Sequence, residues 1–136
     1  MRRILVAVLG ASMLVGTLPA KSEGTWIQVF NTPLKKPTPG TIAEDYGWWG
    51  TGWYVDVKSI VKRGNKAYFN SSLVLLGQTG RPCISSVCGW DKTKAAPETK
   101  VSDIANCSTL QLINADGTPK GKQGEISYAL AKFACE

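Results

Sequence analysis

The stretch 46–69 constrains the fold most, because it combines a strand pattern with a strong turn signal. Trp53, Val55 and Val57 alternate with a second set of side chains, which is typical of a strand that buries one face. The opposite, wetter face of this strand carries Tyr54, Asp56 and Lys58. The Arg-Gly-Asn sequence at 63–65 favours a chain reversal, since glycine and asparagine accept positive φ angles. A second alternation follows, so the pattern predicts a β-hairpin.

The rest of the chain adds further strands and one helix. The pattern predicts a strand at 25–30, a proline-rich loop at 31–40, an extended region at 101–113 with a bend or bulge near Cys107, a reversal at 114–117 and a helix at 126–135. The predicted fold class is therefore α+β, mainly β: an antiparallel meander sheet of four to six strands with a short C-terminal helix. A small closed β-barrel is the alternative. The predicted core contains Trp53, Val55, Phe69, Leu73, Leu110 and Phe133.

The N-terminus has the layout of a secretory signal peptide. Arg2 and Arg3 precede an apolar run at 4–18, and the small residues Ala20 and Ser22 follow it. Cleavage after either small residue fits, and the run is too short to span a bilayer comfortably. We therefore expect an exported protein, periplasmic or at the cell surface, with no stable membrane span after cleavage. The predicted organisation is a cleaved signal peptide at 1–22 and a single disulfide-stabilised β-rich domain at 23–136.

The chain is moderately basic, with 16 Lys and Arg against 10 Asp and Glu. Without Arg2 and Arg3 the excess is about four positive charges, which favours weak attraction to anionic partners. The expected partners are an envelope polymer, a glycan or another surface protein. No nucleic-acid motif is present, and export separates the protein from nucleic acid, so we expect no nucleic-acid partner. The sequence does not indicate an oligomeric state.

Four cysteines in a small exported chain predict two disulfides. Of the three possible pairings, we favour a short loop closed by Cys83–Cys88 and a longer one closed by Cys107–Cys135. A four-thiolate zinc site is the alternative, although Cys-x₄-Cys is loose spacing for zinc and an oxidising compartment works against free thiolates. The sequence predicts no resident metal and no cofactor.

The chain contains no histidine. Its absence removes Ser-His-Asp and Cys-His catalysis and most zinc and copper sites. The adjacent acids Glu44 and Asp45 lie beside aromatic residues, but neighbours on a strand point to opposite faces. We therefore predict no catalytic residues and no enzymatic activity.

An aromatic cluster supplies the candidate binding site. An exposed indole face stacks on sugar rings and cations, so Tyr46, Trp48 and Trp49 form a candidate binding patch. The competing interpretation is that these side chains only build the core of a small domain. Because Trp48 and Trp49 are consecutive, they cannot both face inward on a regular strand.

Several short segments resemble one family of exported bacterial proteins. The segments are Trp26, Gly52-Trp-Tyr-Val-Asp56, Ser59-Ile60, Lys62-Arg-Gly-Asn65, Asn106-Cys107, Asp116-Gly117 and Cys135. In this order they resemble the proteins related to the surface-adhesin protein E domain. The resemblance implies an antiparallel sheet with a terminal helix, no known catalytic centre, and an adhesion-like role for the better-known relatives. The loop at 83–88 and the Trp48-Trp49 pair depart from the family pattern.

These observations predict an exported, non-enzymatic envelope or surface protein with an adhesion-like binding domain of unknown ligand. The alternative is a small periplasmic inhibitor of a lytic enzyme or protease. In that case the loop at 83–88 would insert into the partner's cleft.

Overall fold

A computed structural model of the protein describes residues 24–91, 93 and 96–136. The predicted signal peptide lies outside the described residues. The main elements, in chain order, are β1 (Trp26–Asn31), α1 (Ile42–Tyr46), β2 (Trp48–Asp56), β3 (Val61–Arg63), β4 (Lys66–Gly77), β5 (Val101–Asn106), β6 (Gln111–Ile113) and α2 (Glu125–Cys135). Short 3₁₀ turns occupy Val57–Ser59 and Ser86–Cys88.

The strands form one antiparallel sheet of six strands. Its order is β1-β2-β4-β5-β6, and β3 pairs with the beginning of β4. The sheet is open, and α2 packs on one of its faces. The predicted mainly-β fold with a C-terminal helix is therefore confirmed. The sheet does not close into the barrel that was the alternative. Among the described residues, no helix has the length and apolar character needed to cross a membrane.

One face of the sheet is covered by α2. Leu130, Ala131 and Ala134 of the helix lie in a single buried cluster with residues from four strands. The strand residues in this cluster are Val55, Ala67, Phe69, Ala105 and Leu112. Because Ala67 and Phe69 are two apart on β4, their side chains share this face.

The opposite face is covered by the loop that contains Trp90. Trp90 is fully buried and meets the Tyr54 ring edge-on, with 5.3 Å between ring centroids and 75° between planes. Trp26, Val74 and Leu76 complete this second cluster. The Tyr54 hydroxyl donates to Gln28 Oε1 at 3.0 Å, so its polar end has a partner.

The helix α2 and the loop that contains Trp90 cover opposite ends of β4. This strand has 12 residues and extends roughly 40 Å, whereas the 11 residues of α2 extend only roughly 16 Å. Along β4, residues 67, 69 and 71 are buried on the helix side, and residues 72, 74 and 76 are buried on the loop side. Part of the helix-side face is therefore left without a helix above it.

This arrangement corrects two predictions about burial. The face of β2 predicted to be wetter carries Tyr54, which is fully buried under the Trp90 loop. Leu73, predicted to be core, is 51% exposed because α2 does not reach it. Of the other predicted core residues, Val55 and Phe69 are buried, while Trp53, Leu110 and Phe133 are partly buried against the helix-side cluster.

Several local predictions are confirmed. The reversal at 63–65 joins β3 to β4, with Gly64 at φ 61°. At the reversal 114–117, the Gly117 N–H donates to the Asn114 carbonyl at 2.9 Å. The Thr118 hydroxyl and then its backbone N–H donate to Asp116, which lowers the pKa of that carboxyl.

The extended region at 101–113 differs from the prediction. It is not one bent strand but a hairpin, in which β5 and β6 pair antiparallel. The Asn106 side chain accepts from the backbone N–H groups of Ser108 and Thr109, and Leu110 takes a positive φ of 56°. These bonds form a tight turn between the two strands.

Candidate functional site

A β-bulge brings the two consecutive tryptophans to one cavity. In the pairing of β2 with β4, Trp48 lies opposite Gly77 and Gly50 lies opposite Leu76, so Trp49 is an extra residue. A bulge interrupts the alternation that would otherwise send neighbouring side chains to opposite faces. Trp48 and Trp49 both line a cavity of about 530 Å³, which we call the indole cleft. The argument that the two cannot both face inward applies to a regular strand, and the bulge removes that regularity here; both residues are half-buried.

The other walls of the indole cleft come from the proline-rich loop and from α1. Residues 35–38 of the loop line one side, and Thr41, Ile42 and Ala43 line another. A backbone bond from the Lys35 N–H to the Trp49 carbonyl, 2.9 Å long, attaches the loop to the bulge itself. The loop is thereby joined to the strand at the position where the indoles project.

The helix α1, which the sequence analysis did not predict, shapes the cleft. Its end is set by Gly47, whose φ of 64° suits glycine. At its start, the Glu44 carboxylate accepts the Gly40 N–H at 2.9 Å. The pattern Thr41-x-x-Glu44 followed by Gly47 is a helix start and stop signal that could have identified it.

Cationic and polar groups line the indole cleft beside the rings. Lys35 and Lys36 are exposed, and neither forms an ion pair with any carboxylate in the described ranges. The indole N–H of Trp48 is buried and has no acceptor among the described residues. The site thus combines two tryptophans with two ammonium groups.

Tyr46, the third residue of the predicted aromatic patch, lies apart from the two indoles. It ends α1, is 48% exposed, and does not line the indole cleft. The structure therefore brings Trp48 and Trp49 together and adds lysines and loop residues that the aromatic pattern alone did not indicate.

The acidic pair considered for catalysis lies on one short helix, apart from two other carboxylates of the chain. Glu44 and Asp45 are on α1, Asp91 follows Trp90 in the covering loop, and Asp103 is on β5. Across 24–91, 93 and 96–136, no group of three or more Cys, Asp or Glu side chains could hold a metal ion. The absence of enzymatic activity stays a prediction.

The four predicted half-cystines form the two favoured disulfides. Cys83 bonds to Cys88 and closes the short loop, and Cys107 bonds to Cys135. The second bond attaches the last residue of α2 to the turn after β5. Two disulfides in a chain of this size are typical of a protein that folds outside the cytoplasm.

Comparison with models of known protein families, with curated proteins and with solved structures gave no significant match. The resemblance to the surface-adhesin protein E domain thus stays a prediction. Fold and site define the class: an open antiparallel sheet with a C-terminal helix packed on one face, two disulfides and an indole-lined cleft.

Proposed function

We propose that the protein is an exported, non-enzymatic protein of the bacterial envelope or surface, and that it binds a glycan or other envelope polymer in the indole cleft. The observation that carries the proposal is the bulge at Trp49, which places two neighbouring indoles on one cavity. Indole faces stack on sugar rings, and bulges are frequent where a strand must re-aim a side chain for function.

The chemistry of the cleft favours a sugar that carries acidic groups. Lys35 and Lys36 line the same cavity as the indoles and are free to meet a carboxylate or sulfate on the ligand. The buried N–H of Trp48 lacks an acceptor, and such a donor costs roughly 1–3 kcal/mol when unsatisfied. A ligand oxygen that reached it would recover part of this cost.

Replacement of either indole tests the proposal. We expect Trp48→Ala and Trp49→Ala each to weaken binding of soluble uronic-acid oligosaccharides roughly tenfold, because one stacking surface is lost. Neutral glucose oligosaccharides of equal length serve as the charge control. The measurement is titration calorimetry on the purified protein.

Tyr46→Ala is the matched control for these variants. Tyr46 is a neighbouring exposed aromatic residue that does not line the indole cleft, so its loss leaves the affinity unchanged. The proposal is wrong if neither oligosaccharide binds, or if Tyr46→Ala weakens binding as much as the tryptophan variants do.

A specific observation also favours the alternative function, inhibition of a lytic enzyme or protease. The loop closed by Cys83–Cys88 exposes two apolar side chains, Ile84 (43%) and Val87 (47%). A backbone hydrogen bond of 2.9 Å from the Cys83 N–H to the Leu75 carbonyl attaches the first residue of this loop to the sheet. A rigid loop with apolar side chains suits insertion into a partner's cleft.

Inhibition assays distinguish this alternative. If it is correct, the protein inhibits a lysozyme or a serine protease, and Ile84→Ser with Val87→Ser raises the inhibition constant by roughly a hundredfold, since two buried apolar contacts are lost. Absence of inhibition at a large molar excess over both enzymes removes the alternative.

A further inference from the structure

The helix-side face carries an apolar row that α2 covers only in part. Phe30 lies opposite Trp53, and Trp53 lies opposite Leu73, so the three side chains follow one another across β1, β2 and β4. Val101 pairs with Ser71 and lies beside Leu73 on the same face. We call these four residues the apolar row. Leu73 is 51% exposed and Val101 is 43% exposed.

Two neighbouring cavities lie along this row at the start of α2. One, of about 400 Å³, is lined by Trp53, Leu73 and Val101, and the other, of about 420 Å³, is lined by Phe30 and Pro33. They share three lining residues: Lys122, Ile126 and Ser127. We call this pair of neighbouring cavities the groove, and each cavity is within the range of roughly 300–1,000 Å³ that small-molecule sites occupy.

The charges in the cavity beside Leu73 favour a single anionic group. Asp103 is 5% exposed; it accepts the Ser71 hydroxyl and pairs with Lys120 at 2.8 Å, so that lysine is neutralised. Lys122 forms no ion pair with a described carboxylate, although the exposed Glu125 lines the same groove. In the cavity beside Leu73 the side chains therefore carry one unmatched positive charge.

We propose that this groove binds one monomeric amphiphile with a single acyl chain and a carboxylate head group. The acyl chain lies along Trp53, Leu73 and Val101, where it buries surface that the fold leaves exposed. The carboxylate meets Lys122, which lines both cavities. This site is distinct from the indole cleft, since the two cavities share no lining residue.

Three probes of equal chain length test the proposal: dodecanoate, dodecyltrimethylammonium and dodecyl maltoside, each below its micelle concentration. We expect dodecanoate to bind most tightly, with a change in the fluorescence of Trp53. Leu73→Ser weakens its binding roughly tenfold through lost apolar contact, and Lys122→Gln weakens it about fivefold through lost charge. Both changed side chains are exposed, so the fold is retained.

Matched controls separate this site from other effects. Val61 is 47% exposed and lines none of these cavities, and Lys58 is an exposed lysine on another segment. Val61→Ser and Lys58→Gln therefore leave dodecanoate affinity unchanged, as does Trp48→Ala. Equal affinity for the three probes, binding only to anionic vesicles, or an affinity unaffected by Leu73→Ser would each overturn the proposal.

Discussion

Replacing Cys107 and Cys135 together by serine lowers the free energy of unfolding by about 3.5 kcal/mol. The bond links residues 28 apart, so its removal restores a large loop entropy to the unfolded chain. It also holds the C-terminal end of α2, whose Leu130, Ala131 and Ala134 cover the helix-side cluster. Because domains of this size are marginally stable, the loss is a large share of the total.

The matched control is the pair Cys83→Ser and Cys88→Ser. Its bond closes a loop of only five residues' separation, so the expected loss is about 2 kcal/mol on the same model. Guanidinium unfolding under non-reducing conditions measures both. A smaller loss for the long loop than for the short one would contradict the role assigned to the bond at α2.

Trp90→Ala lowers the free energy of unfolding by about 3–5 kcal/mol, the cost of deleting a large buried aromatic side chain. Trp90 has no exposed surface and fills the space above Tyr54, Val74 and Leu76. Its removal exposes the loop-side cluster, because the described part of the segment between β4 and β5 contains only the 3₁₀ turn at Ser86–Cys88 and isolated bridges.

Two comparison variants make this prediction specific. Trp90→Phe costs less than Trp90→Ala, since it keeps an aromatic ring and removes an indole N–H that has no acceptor within the described chain. Trp49→Ala deletes an equal side chain from a partly exposed position and costs about 1 kcal/mol or less. Equal losses for Trp90→Ala and Trp49→Ala would contradict the burial assigned to Trp90. Chemical unfolding followed by circular dichroism provides the measurement.

The features that sequence predicts well are local. The reversal at 63–65, the turn at 114–117 and the helix ending at Cys135 each depend on residues within a few positions of one another. The disulfide pairing was also predicted correctly. Of the three possible pairings, the favoured one closes a short loop and a long loop, and this is the one that forms.

The features that sequence did not reveal depend on distant parts of the chain. Tyr54 is buried because a loop 36 residues later places Trp90 against it, and no periodicity in β2 contains that information. Leu73 is exposed because α2 is shorter than β4. The alternation of residues along β4 does not show how far the helix extends over the strand. Likewise, the bulge at Trp49 depends on the register against β4, so alternation alone could not show that the two residues line one cavity.

The candidate site was therefore only half predictable. Composition indicated that Trp48 and Trp49 could bind a ligand, because consecutive indoles are difficult to bury together. The lysines and α1 that complete the cleft come from the loop between β1 and β2, which the proline content marked only as irregular. Motifs such as Thr41-x-x-Glu44 and the turn-forming Asn106 carried usable signals.

The most direct test of the binding proposal follows the five indole N–H resonances by NMR during titration with uronic-acid oligosaccharides. We predict that the Trp48 and Trp49 resonances move together, with a downfield shift for Trp48 as its N–H gains an acceptor, while Trp90 stays in place. If no indole resonance moves, or if Trp53 moves and the pair at 48–49 does not, the indole cleft is not the binding site.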